Sequence, residues 1–175
     1  PAYTMHSTVL EGIAMKTLIS VIGGRAASPE LISAAEDVGR EIARRGAVLV
    51  CGGLSGVMEA ACRGAREAGG LTVGILPSGR ASDANAFVDI AIPTGMGYSR
   101  NYLVATCARA VIAVGGSLGT LSEIAYALDK GLPVAGLGSW SPDESRMPEG
   151  VSVYEASSPA DAVRYVFTRM ESQEI

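Results

Sequence analysis

The chain has 175 residues, which is enough for one domain with a sizeable core. Hydrophobic residues make up 48% of it and charged residues 18%, which excludes a disordered chain. A formal net charge of −4 excludes a broad basic surface for duplex nucleic acid. That charge makes nucleic acid an unexpected partner. No apolar run approaches the roughly 18 residues that a membrane span needs, so we expect no membrane partner either.

The cysteines and the histidine are too dispersed for a metal site. Cys51, Cys62 and Cys107 lie far apart without a C-x-x-C spacing, and His6 is the single histidine. We therefore expect no bound metal, and we expect reduced thiols in the core.

The first fourteen residues show no helical or strand periodicity. They also lack the charged start and the long apolar centre of a secretory signal. We interpret residues 1–14 as a flexible extension or a cloning remnant, with Met15 as the natural start. Residues 15–175 then form one phosphate-ligand-binding domain, and we expect a cytoplasmic protein.

From residue 17 onward, apolar runs typical of strands alternate with helical patterns. This alternation favours a parallel sheet with helices on both faces. The predicted fold class is α/β, a single three-layer Rossmann-like domain with a mostly parallel sheet. The predicted strands are residues 17–22, 47–51, 71–76, 88–92, 110–114, 132–137 and 151–154. The predicted helices begin near residues 28, 56, 100, 120 and 158, with Ser28 and Ser99 as N-caps of the first and third.

Three of these strands run directly into glycine-rich turns that precede helices. Glycine lets a ligand approach the main chain closely, and the free amides at a helix start favour an anion. The repetition of this arrangement predicts a phosphorylated small-molecule ligand. The residues that we expect to bind it in these turns are Gly23, Gly24 and Arg25 after the first strand, Gly52, Gly53, Ser55, Gly56, Met58 and Glu59 after the second, and Gly115, Gly116, Ser117, Gly119, Thr120 and Glu123 after the fifth.

A parallel sheet brings these turns to one rim, because all of its strands end at the same edge. The segment Gly95–Arg100 follows the fourth strand and reaches the same rim. Arg100 falls in the first predicted helical turn, where a cation opposes the helix dipole, and this placement suggests that it faces an anion. We expect Asn101 to be a further ligand contact and the loop of residues 79–86 to cover part of the ligand.

Structural roles explain several of these residues equally well. Thr120 and Glu123 match a capping box, in which Glu123 would bond the backbone at the start of its own helix. Glu59 has a similar explanation at its helix start, and Arg25 is typical of a solvated loop. Arg100 could be held by a salt bridge to Glu123. Cap and catalyst remain equal alternatives for Glu123.

Three common catalytic motifs do not occur. The first glycine turn lacks the G-x-G-x-x-G dinucleotide fingerprint, and the chain has neither a G-x-x-x-x-G-K-[ST] phosphate loop nor a G-x-S-x-G nucleophile elbow. Hydride transfer, nucleoside triphosphate hydrolysis and serine-hydrolase chemistry are therefore disfavoured.

The segment from Gly115 to Glu123 resembles the P-G-G-x-G-T-x-x-E signature of the Lonely Guy phosphoribohydrolases, a family long labelled lysine decarboxylase-like. Gly115 stands where that signature has proline, and Ser117 replaces its second glycine. Lonely Guy enzymes also carry an H-x-R-K segment, of which only Arg100 is matched here. The sequence Gly-aromatic-x-Arg-Asn that ends at Asn101 is instead similar to the molybdenum cofactor carrier proteins. The resemblance covers residues 15–135 and implies a homo-oligomer, a dimer or a tetramer.

Two functions follow from these features. The first is a carrier that binds a phosphorylated pterin or nucleotide-like ligand, with molybdenum cofactor as a cargo and no cofactor required by the protein itself. The second is a nucleoside 5′-monophosphate phosphoribohydrolase that releases an adenine base, with Glu123 and Arg100 as catalytic residues. The carrier is the preferred interpretation.

Overall fold

The computed structural model describes residues 15–172 and contains a sheet of seven parallel strands. The strands are β1 (Leu18–Gly23), β2 (Val48–Cys51), β3 (Thr72–Leu76), β4 (Ile90–Pro93), β5 (Ala110–Val114), β6 (Val134–Leu137) and β7 (Tyr154–Glu155). Their order across the sheet is β4-β3-β2-β1-β5-β6-β7, and every pair of neighbours is parallel. The predicted parallel α/β fold is confirmed.

Helices cover both faces of this sheet and form the two outer layers. The helices are α1 (Pro29–Arg44), α2 (Val57–Glu67), α3 (Asn101–Thr106), α4 (Leu118–Asp129) and α5 (Pro159–Glu171), with short 3-10 turns at Ala81–Asp83, Gly97–Arg100 and Glu144–Arg146. Side chains of α1, α2 and α5 form one core cluster, and side chains of α3 and α4 form the other. In this part of the chain, no helix combines the length and hydropathy that a bilayer crossing requires.

Along each central strand the side chains point alternately to the two faces of the sheet, so one strand contributes to both core clusters. On β1, Ile19 and Val21 belong to the core beneath α1 and α2, whereas Ile22 belongs to the core beneath α3 and α4. All three side chains are fully buried or nearly so. A strand that is buried on both faces must be apolar throughout, which explains the continuous apolar runs in the sequence.

The start of α1 follows the predicted cap. The Ser28 hydroxyl accepts a hydrogen bond from the Leu31 amide at 3.4 Å, and Pro29 occupies the first helical position. Proline is favoured there because its missing N–H would have no partner within the helix.

The start of α4 differs from the predicted one. The helix begins at Leu118 with Ser117 as its N-cap, and the Thr120 hydroxyl accepts a hydrogen bond from the Ser117 amide at 3.3 Å. Glu123 therefore lies in the second helical turn, too far along to cap the helix start. The capping-box interpretation of Thr120 with Glu123 is wrong, because Ser117, whose backbone is extended, occupies the N-cap position and Thr120 the N3 position of the helix.

Two further predictions need correction. The helix expected from residue 100 to 108 is a 3-10 turn at Gly97–Arg100 followed by α3, which ends at Thr106, and Ser99 does not cap it. Cys51 and Cys62 are buried with their sulfur atoms 3.4 Å apart, as expected of core thiols, but Cys107 is exposed. Cys107 lies directly after the last residue of α3.

Candidate functional site

The carboxyl ends of the strands surround a cavity of about 320 Å³. The loop after β1, the turn after β2, the turn before α3 and the start of α4 each supply part of its wall. The predicted site residues that line it are Gly23, Gly24, Arg25, Gly52, Met58, Arg100, Asn101, Ser117, Gly119, Thr120 and Glu123.

Arg100 and Glu123 form a buried ion pair in the wall of this cavity. Each residue is 6% exposed, and Arg100 Nη1 lies 3.5 Å from Glu123 Oε1. Among residues 15–172, Arg100 Nε is the one buried side-chain nitrogen or oxygen atom without a hydrogen-bond partner. Buried polar groups are almost always paired, so this guanidinium has capacity for another acceptor.

Two glycine-containing turns position the Arg100 side chain. Gly95 and Gly97 have φ angles of +66° and +56°, and the Gly97 amide donates a hydrogen bond to the Pro77 carbonyl at 2.9 Å. This contact holds the 3-10 turn against the end of β3. On the opposite side, a Cβ atom at Gly52 would lie 2.6 Å and 2.7 Å from the two terminal nitrogens of Arg100. Gly52 is therefore required for the guanidinium to occupy this position.

Burial changes the proton affinities of the pair. It raises the pKa of Glu123 to about 7, and the nearby Arg100 charge opposes this change. Burial also lowers the pKa of Arg100, which Glu123 opposes. The Glu123 carboxyl can therefore gain or lose a proton near neutral pH, and the net charge of the pair varies with it.

Asn101 joins the two helices that border the cavity. Its side-chain amide lies 3.3 Å from the Ser122 hydroxyl and 3.5 Å from the Gly119 carbonyl. It therefore fixes the first turn of α4 beside Arg100. The amides at that helix start, together with the helix dipole, add to the positive potential that Arg100 creates.

Several predicted ligand residues lie outside this cavity. Gly53 donates its amide to Cys51 Sγ at 3.3 Å, and the Val57 amide at the start of α2 donates to the Gly24 carbonyl at 3.1 Å. A Cβ atom at Gly56 would lie 2.3 Å from the Arg25 carbonyl oxygen. The second glycine turn thus packs against the loop after β1, and two of its amides are bonded within the protein.

The remaining predicted residues occupy neighbouring positions. Ser55 and Glu59 line a separate cavity of about 310 Å³, which they share with Arg25. Gly115 and Gly116, at φ +54° and +128°, form the turn between β5 and α4 without lining the main cavity.

The structure adds Tyr98, Ile22 and Ala26 to the cavity wall. Tyr98 is 87% exposed and lies two residues before Arg100 in the same 3-10 turn. Its aromatic side chain between glycine and arginine in a turn was a signal available in the sequence. Ile22 and Ala26 carry no such signal, because small and aliphatic residues beside glycine occur throughout the core.

Solved structures with this architecture include two molybdenum cofactor proteins. The molybdenum cofactor binding protein of Rippkaea orientalis is 38% identical, with a TM-score of 0.82 over 90% of this chain and 99% of that chain. The molybdenum cofactor carrier protein of Chlamydomonas reinhardtii is 34% identical, with a TM-score of 0.80 over 91% of this chain and 99% of that chain.

Sequence comparisons agree with this structural similarity. An uncharacterized protein of Archaeoglobus fulgidus is 45% identical over 148 residues, which are 84% of this chain and 92% of that protein. The family model of the SLOG cluster4 family matches residues 16–163. The predicted resemblance to the molybdenum cofactor carrier proteins is confirmed, and the chain belongs to the SLOG cluster4 family.

Proposed function

We propose that this protein is a carrier that binds molybdenum cofactor as its cargo, through the phosphate group of the pterin, in the cavity beside Arg100. The observation that carries the proposal is the buried Arg100 guanidinium, which has one long contact to Glu123 and an unpartnered Nε atom. A buried cation with so few partners is stabilised by an anionic ligand. The similarity to two molybdenum cofactor proteins supports this particular ligand.

The remaining wall supplies groups suited to a phosphorylated pterin. Arg100 would neutralise the phosphate, and the amides of Leu118 and Gly119 in the first turn of α4 would complement its charge. Exposed Arg25 at the cavity mouth adds a second cation. We assign this function to the domain of residues 15–175, and the protein needs no resident cofactor or metal for it.

Loading the purified protein with cofactor tests this proposal. Molybdenum cofactor released from a molybdoenzyme is added without oxygen, and gel filtration separates protein from free cofactor. Molybdenum is then measured by mass spectrometry, and the pterin by fluorescence after oxidation. We expect both to elute with the wild-type protein in equal amounts.

The Arg100→Gln variant identifies the binding residue. We expect its affinity to fall about 10- to 100-fold, the usual cost of losing a hydrogen bond to a charged group. Arg44→Gln, which changes an arginine with a 61% exposed side chain on α1, is the matched control and should bind normally. Circular dichroism checks that both variants are folded. A wild-type protein that retains neither molybdenum nor pterin would refute the carrier proposal.

A hydrolase assay separates the carrier from the enzyme alternative. Purified protein is incubated with AMP, and chromatography measures free adenine over time. We expect no release above the buffer control, because this chain lacks the histidine and lysine of the Lonely Guy H-x-R-K segment. Release that disappears in Glu123→Gln would instead identify a phosphoribohydrolase.

A further inference from the structure

A second cavity, of about 620 Å³, adjoins the cavity beside Arg100. Four residues line both cavities: Tyr98, Asn101, Ser117 and Gly119. The two spaces are therefore neighbouring compartments of one cleft, and a ligand anchored at Arg100 can extend into the second compartment.

The second compartment combines aromatic faces with small polar groups. Tyr98 is 87% exposed, Leu118 75% and Tyr126 41%, so large apolar surfaces face the cleft without a covering group from residues 15–172. The Ser99 and Ser122 hydroxyls and the Asn101 amide lie among them. Ligand sites are commonly built from apolar and aromatic walls with a few polar groups that fix orientation.

We propose that this second compartment, bounded by Tyr98, Leu118 and Tyr126, holds the planar heterocycle of the ligand whose anionic group lies at Arg100. The inference rests on the proposed function, because it assumes that an anion occupies the first compartment. Tyr98 is the residue that selects for the ring, since it is an exposed aromatic residue that lines both compartments.

The chemistry of the compartment favours a heteroaromatic ring over an aliphatic chain. Tyrosine stacks on any flat π-system, and such contacts contribute about 1–3 kcal/mol per ring. Hydroxyl and amide groups can hydrogen-bond the nitrogen and oxygen atoms at the edge of a heterocycle, which an alkyl chain lacks. One 3-10 turn carries both Tyr98 and Arg100, so the ring and the anion are held at a defined separation.

This assignment can be tested with two phosphorylated probes, of which only one carries a heteroaromatic ring. Neopterin 3′-monophosphate has a pterin ring and a phosphorylated three-carbon chain, and glycerol 3-phosphate has a similar phosphorylated chain without the ring. Calorimetric titration measures the dissociation constant of each for the wild-type protein and its variants. We expect the wild-type protein to bind the pterin probe more tightly.

The Tyr98→Ala variant should bind neopterin monophosphate about 5- to 100-fold more weakly and glycerol 3-phosphate as well as the wild type does. Tyr98→Phe keeps the aromatic face and should retain most of the affinity. Met96→Ala changes a 47% exposed side chain just outside the turn that lines neither cavity, and it should have no effect.

Other outcomes would overturn the assignment in distinguishable ways. If Tyr98→Ala weakens both probes equally, or neither, Tyr98 does not select for the ring. If the wild type binds both probes equally, the aromatic compartment is rejected while the anion site stands. If the wild type binds neither, the proposed function fails together with this inference. If Tyr98→Ala loses the pterin probe only because an oligomer dissociates, the surface is a contact with a second copy of this chain.

Discussion

Arg100 and Glu123 are buried in the wall of the candidate-site cavity although neither charge is fully satisfied. Their contact of 3.5 Å is long for an ion pair, and the desolvation of two such charges exceeds what one long contact returns. A pair of this kind contributes little to stability, in keeping with our proposal that Arg100 binds an anionic ligand. The same two residues therefore determine both the charge of the cavity and its response to pH.

Gly52 is the residue on which the position of Arg100 depends. In Gly52→Ala, the new methyl group would lie 2.6 Å from Arg100 Nη1, so the guanidinium must move away from the cavity wall. We expect the affinity for a phosphorylated ligand to fall about 10-fold or more with the fold intact, measured by calorimetric titration with neopterin monophosphate.

Gly79→Ala is the matched control for this change. No atom lies within 4 Å of a Cβ placed at Gly79, which is exposed, and none of residues 79–86 lines the cavity beside Arg100, although we expected this loop to cover the ligand. Its affinity should equal that of the wild type. Equal affinity in Gly52→Ala would show that the guanidinium position is unimportant for binding.

The raised pKa of Glu123 makes stability depend on pH. The unfolded chain ionises this carboxyl near its ordinary pKa of 4.5, but the folded protein does so near 7. The folded state therefore binds the proton more strongly, and its stability falls as the pH rises from about 4.5 through 7. The loss over this window is up to about 3 kcal/mol.

The Glu123→Gln variant lacks this titration, so the two proteins should diverge with pH. Urea denaturation at pH 5, 6, 7 and 8 measures the free energy of unfolding of each. We expect the wild type to lose stability relative to the variant as the pH rises, and other carboxyls cancel in the difference. Parallel profiles would mean that Glu123 is ionised throughout this range.

At the scale of elements, α1 and α2 pack through two glycines at their contact. A Cβ atom at Gly39 would lie 2.0 Å from the Ala61 carbonyl oxygen, and one at Gly64 would lie 1.9 Å from the Glu36 carbonyl oxygen. The two backbones therefore approach too closely for any side chain. This contact places α2, whose N-terminus follows the glycine turn that contains Gly52.

The Gly64→Ala change tests this contact. In an exposed helix the same change stabilises by up to about 1 kcal/mol, since alanine is the better helix former. Here we expect a loss of about 1–3 kcal/mol or more in the free energy of unfolding, because the backbones must separate.

A helical glycine without such a contact provides the comparison. Gly119 in α4 has only ordinary contacts for a Cβ, the nearest at 3.6 Å, so Gly119→Ala should leave stability unchanged or improve it. Urea denaturation of both variants measures the contrast. A Gly64→Ala protein as stable as the wild type would mean that α1 and α2 can separate without cost.

At the scale of the whole molecule, the layer of α3 and α4 leaves apolar surface exposed. Ile90 and Ile92 on the edge strand β4 are 46% and 44% exposed, and Tyr102 and Leu103 on α3 are 41% and 36% exposed. The short helix α3 has only 6 residues and cannot cover more of the sheet. Exposed apolar side chains of this kind are typical of protein–protein contacts.

We therefore expect the protein to form the homo-oligomer that its resemblance to the carrier proteins implies. Light scattering coupled to gel filtration should give a dimer or tetramer of the 17.9 kDa chain. Leu103→Glu places a charge in the exposed surface and should shift the mass toward a single chain. Leu71→Glu, which changes a leucine of the same 36% exposure directly before β3 at the amino ends of the strands, should not. A wild-type mass of one chain would contradict the prediction.

The sequence predicted the fold in more detail than the site. Strand positions and their parallel direction follow from apolar runs and glycine turns, which depend on neighbours along the chain. The shared rim follows in turn, because parallel strands end at one edge. The N-cap of α4 was predicted three residues too late. Thr120 and Ser117 both offer a hydroxyl for the N-cap, and only the path of the preceding glycines decides between them.

What the amino-acid pattern established for this protein is a parallel α/β domain with glycine turns at one edge, and it named Arg100 and Glu123 as candidate site residues. Tertiary packing decided the rest. Packing brings Arg100 into contact with Glu123, 23 residues away, which the sequence offered as one alternative. It also directs the amides of Gly53 and Val57 to acceptors within the protein, and it forms the compartment beside Tyr98. The physical reason is range: periodicity and turn preferences act over a few residues, whereas a cavity depends on how distant side chains and backbones fill space.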